Sequence, residues 1–109
     1  MIVVKINKDN VLTFEAKGHS LFDVKGKDIV CAAVSVLIQS WLVGITELCK
    51  VKAEENRNDG FLSVKVSELN ESVKLLTQNL VLSLKILEKQ YRENIKVELE
   101  EKDGSRWFR

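Results

Sequence analysis

The chain has no proline, a single histidine, a single methionine and only two cysteines among its 109 residues. Without proline, slow isomerisation cannot hold up folding, and the turns fall to glycine, asparagine and aspartate. A dominant charge sign is missing as well: seventeen Lys and Arg face sixteen Asp and Glu, a formal net charge of +1. That balance removes the overall footprint of a nucleic-acid-binding domain, and no direct nucleic-acid partner is expected beyond a local basic patch. Cys31 and Cys49 are eighteen residues apart; on one helix they stand ~27 Å from each other, which excludes an intrachain disulfide. One histidine and two distant cysteines cannot complete a closed zinc site, so no metal and no cofactor is expected. Nothing at the N-terminus reads as a signal peptide, since Lys5 and Lys8 follow almost at once, and the expected compartment is the cytoplasm.

One long apolar run exists, Ile29 to Ile45, broken only by Ser35, Gln39, Ser40 and Gly44. It falls short of the ~20 apolar residues of a membrane span. The expectation is a central helix buried against a sheet on one face and another helix or subunit on the other, with no membrane partner. With 45% apolar and 30% charged residues, the composition is globular, and the length suits a single domain over residues 1–109.

Periodicity predicts the remaining elements. Ile2–Ile6 and Val11–Lys17 read as a hairpin around the polar turn Asn7 to Asn10, and residues 50–55 and 61–66 as a second hairpin around Asn56 to Gly60. Val73, Leu76, Leu80, Leu84, Leu87 and Tyr91 step by three and four, predicting an amphipathic helix over 70–92. Ile95, Val97 and Leu99 alternate with charged residues as a last strand, followed by a tail with Trp107 and Phe108 that anchors onto the body or meets a partner. The order ββαββαβ implies an α+β fold: a five-stranded, mostly antiparallel sheet with two helices packed on one face.

The chemistry centres on His19 and, twelve residues later, Cys31 in the segment DIVCAAVS. Asp28 reads as the helix N-cap, which puts Cys31 in the first turn, where the positive helix pole and a neighbouring imidazole both favour the thiolate. First-turn N–H groups lack intrahelical acceptors and are suited to an oxyanion. His19 at the end of the second strand is then the candidate base and acid. The alternatives are plain: Cys31 as a packing residue, His19 as a turn residue, Asp28 as a third catalytic group rather than a cap. Ser35, one turn on, lines the site in support or bonds back to the Cys31 carbonyl. Cys49, near the negative helix pole, reads as packing.

GHS at 18–20 and GKDIVCAAVS at 26–35 resemble the signature of the ribosomal-processing cysteine proteases, the Prp family. That resemblance implies an endopeptidase that removes a short N-terminal extension from a large-subunit ribosomal protein precursor. It implies a catalytic dyad of His19 and Cys31, with Asp28 matching the family's aspartate before the cysteine. It also implies a homodimer, and a substrate loop between the dyad residues that orders over the peptide. Ser20 stands where the family usually has alanine. In that loop Leu21, Phe22 and Val24 form an apolar inner face, with Gly18 and Gly26 as hinges; ordinary loop packing is the alternative. Outside catalysis the competing readings are a non-catalytic ribosome-assembly binding module and, without a nearby resolving cysteine, redox sensing through Cys31.

Overall fold

The computed structural model describes residues 2–8, 12–17, 29–58 and 61–101. Its strands are β1 (Ile2–Lys8), β2 (Leu12–Lys17), β3 (Ala53–Asn58), β4 (Phe61–Val66) and β5 (Ile95–Glu101), and its helices α1 (Ile29–Val43) and α2 (Glu71–Gln90). The element order is the predicted ββαββαβ. The five strands form one sheet in the order β3-β4-β2-β1-β5. Three neighbouring pairs are antiparallel and the fourth, β1 with β5, is parallel, because α2 carries the chain from β4 across the sheet to its far edge.

Alternation along the strands decides which face is covered. Ile2, Val4, Ile6, Ala16, Leu62, Val64, Val66, Ile95 and Val97 are buried, whereas the intervening Lys5, Glu15, Lys65 and Lys96 are exposed. Both helices therefore lie on one face and the other is polar. Val30, Cys31, Val34, Ile38, Trp41 and Ile45 join that core from α1 and the turn after it, and Val73, Leu80, Val81 and Leu84 join it from α2. By length and composition the twenty residues Ile29–Leu48 suffice to cross a membrane, but here they are folded against the sheet and α2.

The helices run antiparallel to each other. Trp41 late in α1 donates its indole N–H to the hydroxyl of Thr77 early in α2 at 3.1 Å, and Thr77 donates in turn to the Val73 carbonyl at 2.7 Å. Close approach there depends on Gly44, where an added Cβ would sit 2.8 Å from Leu76 Cδ1. From Gly44 the chain widens into a π turn, Gly44–Leu48, closed by the Cys49 N–H on the Gly44 carbonyl at 2.9 Å. Asn70 caps α2, its side chain accepting from the Val73 N–H at 2.9 Å. Both ends of α2 lie within two residues of the predicted 70–92.

The second hairpin differs from the sequence expectation. The pattern places strand at 50–55 and turn at 56–60, yet β3 begins at Ala53 and continues through Asn56, Arg57 and Asn58. Lys50 takes the left-handed conformation, φ 57°, and Val51 turns inward as a 5% exposed plug whose N–H bonds the Ile45 carbonyl at 3.1 Å. The strand is thereby delayed, and with Asn58 opposite Phe61 only two residues connect β3 and β4, the shortest common hairpin link.

Candidate active site

The strand register defines the two ends of the sheet. Val3, Lys17, Phe61 and Asn58 stand in a row at one end, and Lys8, Leu12, Val66 and Ala53 at the other. A helix of fifteen residues spans ~22 Å, about the length of these strands. Since α1 and its π turn lead into β3 at Ala53, the first turn of α1 lies at the opposite end, where β2 stops at Lys17. Cys31 is the third residue of α1, and His19 follows Lys17 by two. The fold thus brings the strand that leads to His19 and the turn that carries Cys31 to the same end of the sheet.

His19 itself, with Gly18, Ser20, Leu21, Phe22, Val24, Gly26 and Asp28, lies outside the described residues. Of the expected site, Cys31 and Ser35 are described. Cys31 is in no disulfide and is 2% exposed, and Ser35 one turn later is 7% exposed. No acidic side chain occupies the first turn of α1, so nothing within that turn opposes the positive helix pole. Buried to this degree, the Cys31 sulfur meets an incoming group only after a local movement uncovers it. Cys49 is free and half-buried at the end of the π turn, packed against the core, in keeping with a packing role.

Among the described residues there is no group of three or more His, Cys, Asp or Glu placed to hold a metal ion. A concavity of about 620 Å³, lined by Thr46, Lys50, Lys52, Glu54, Lys65 and Ser67 among others, belongs to the Ala53 and Val66 end. It is therefore remote from Cys31.

A sequence model of the cysteine protease Prp family matches residues 1–96. The chain is 34% identical over 94 residues to the ribosomal processing cysteine protease Prp of Mycoplasma genitalium, covering 85% of this chain and 92% of that protein. It is 24% identical over 94 residues to the Bacillus subtilis protein of the same name, covering 80% and 84%. Its fold is similar to that of the essential ribosomal processing protease Prp from S. aureus, solved with a covalently linked product peptide. That similarity has a TM-score of 0.81 at 26% identity and covers 92% of this chain and all of the other. The same S. aureus protease solved with a substrate peptide gives 0.80 at 25% identity, with the same coverage. With the family pattern extending over residues 1–96, through every element up to the start of β5, and a relative of that name matched over most of its length, this chain belongs to the Prp family of cysteine proteases.

Proposed function

We propose that the protein is a cytoplasmic endopeptidase that trims the N-terminal extension from a large-subunit ribosomal protein precursor by a Cys31 and His19 dyad. The observation that carries this reading is Cys31 in the first turn of α1, at the sheet end where β2 leads into His19. His19 takes the thiol proton, and the Cys31 sulfur attacks the scissile carbonyl carbon to form a tetrahedral oxyanion. First-turn N–H groups, which have no intrahelical acceptors, stabilise that oxyanion. On collapse the C–N bond breaks, the imidazolium gives its proton to the leaving amine, and a thioester remains. Water, deprotonated by His19, attacks the thioester and releases the carboxylic acid product and the thiol. Asp28 supports the turn from the cap position and Ser35 supports Cys31 from the next turn. The 18–26 segment, which carries the apolar Leu21, Phe22 and Val24 between Gly18 and Gly26, receives the peptide.

The test is direct. The host's own unprocessed ribosomal protein is incubated with the wild-type protein and with Cys31→Ser, and its N-terminus is followed by intact mass. Loss of the extension with wild type alone is the expected result; equal trimming by both would remove Cys31 from the chemistry.

A second reading, a non-catalytic ribosome-assembly module, draws on the 2% exposure of Cys31 and expects binding of the precursor without cleavage. Iodoacetamide labelling separates the two: an activated Cys31 uncovered by local movement outpaces Cys49 near neutral pH, whereas two packing cysteines label slowly.

The proposed assembly is a homodimer. Ile29, Val36 and Val43, seven residues apart along α1, are 65%, 64% and 56% exposed, forming a stripe on the helix flank that the fold leaves uncovered. Burying it against a second copy removes apolar area from water. Val36→Asp should shift the protein to monomer by sedimentation; an unchanged dimer would place the interface elsewhere.

A further inference from the structure

The hydrogen-bond parity of β3 singles out its outer edge. The Ser67 N–H donates to the Lys52 carbonyl at 3.2 Å, so Lys52 and Ser67 are a bonded pair just beyond the ladder. Because bonded and non-bonded pairs alternate in an antiparallel ladder, Glu54 with Lys65, Asn56 with Ser63, and Asn58 with Phe61 bond inward. Ala53, Glu55 and Arg57 then direct their N–H and C=O groups away from β4. Among the described residues the outward groups of Ala53 and Glu55 have no partner. The opposite edge is treated differently: on β5 the Val97 N–H donates to the Glu88 carboxylate of α2 at 2.7 Å, which blocks strand addition there.

Side chains and position give the open edge a direction. Glu55 and Arg57 pair with Val64 and Leu62, which are buried on the helix side, so both project on the face that carries α1, where they form an ion pair at 2.6 Å. With α2 held on the β5 side by Glu88, α1 occupies the β3 and β4 half of the sheet. β3 also runs toward the end where α1 begins with Cys31. We infer that the outer edge of β3 is the docking rail for the substrate: an extended polypeptide pairs with Ala53 and Glu55 as a sixth strand and is thereby led to Cys31. The edge favours this occupant over a second copy of the chain, because the strand AEENRN has no large apolar side chain to bury in a stable dimer. Main-chain pairing instead grips an extended peptide with little dependence on its sequence. The inference rests on the protease reading and adds to it the place and geometry of binding.

The experiment uses the full chain and a synthetic peptide spanning the extension junction of the host's own precursor. Glu55→Pro removes an outward N–H and no ladder bond, a position where an edge strand tolerates proline. It should raise KM about tenfold with kcat and the circular dichroism spectrum little changed. Glu55→Gln keeps the N–H, so a KM as high as that of Glu55→Pro would assign the effect to charge and overturn the rail. In parallel, hydrogen exchange at the Glu55 amide is measured in Cys31→Ser with and without the peptide, and slowing on peptide addition is expected. That readout also decides the matter if Glu55→Pro fails to fold. Cleavage by wild type with no slowing at Glu55 would overturn the rail and leave the protease standing. Slowing without any cleavage by wild type would overturn the protease and leave the rail. Slowing that depends on protein concentration and not on peptide would assign the edge to a second copy and overturn the inference.

Discussion

Cys31→Ser and His19→Ala are each expected to lower kcat/KM on the precursor by about 10⁴-fold or more, with the double variant little worse than either single one. The near-equality follows from the proposed mechanism: a nucleophile and its base act as a unit, so removing either forfeits the same step. Serine in place of Cys31 keeps the shape of a small buried side chain while presenting a hydroxyl far less ionised than a thiol at neutral pH. Both variants should keep the wild-type circular dichroism spectrum and still bind the precursor peptide. The wild-type kcat/KM should fall on the acid side in a limb that belongs to the thiolate and imidazolium pair and to neither residue alone. Additive losses in the double variant, or a single variant retaining a tenth of the wild-type rate, would refute the dyad.

Replacing Trp41 by alanine is expected to be the most damaging single change to the fold, costing ~3–5 kcal/mol. Trp41 is 4% exposed and ties α1 to α2 through the Thr77 hydroxyl, so its loss opens a cavity between sheet and both helices and breaks the bond between them. Against a total stability of ~5–15 kcal/mol for a domain, that should lower Tm by more than about 10 °C. Trp41→Phe retains most of the volume and loses the indole donor, while Thr77 keeps its bond to the Val73 carbonyl; it should cost only ~1–2 kcal/mol. Thermal and urea unfolding measure both. A Trp41→Ala protein within about 1 kcal/mol of wild type would show that the helices are held together elsewhere.

Elements with strong periodicity are legible in the amino-acid sequence alone. The α2 stripe and the alternation in β5 occur as predicted because each buries one face against the same core, and a period is the direct trace of a single buried face. Thr77 stands outside the predicted stripe, since a threonine is read as polar; its burial depends on the indole of Trp41 thirty-six residues away. The start of β3 departs from expectation for a related reason. Lys50 and Lys52 around Val51 look like strand alternation, but Val51 is drawn inward by the π turn and the core beneath it. Asn56, Arg57 and Asn58 lie on an edge strand that buries too little to leave a pattern.

For the site, the residue types and spacing that mark a thiol protease are in the chain itself: one histidine and a cysteine at a helix start, within motifs that resemble the Prp signature. These are local signals, because the start of a helix and a short motif are set by a few consecutive residues. The sheet order, the parallel pairing of β1 with β5, the burial of Cys31 and the contrast between an edge bonded by Glu88 at Val97 and an edge whose outward Glu55 backbone groups have no partner among the described residues were decided by tertiary structure alone. Each depends on which distant strands become neighbours and on the parity of their hydrogen bonds, and those relations join residues that share no local pattern in the chain.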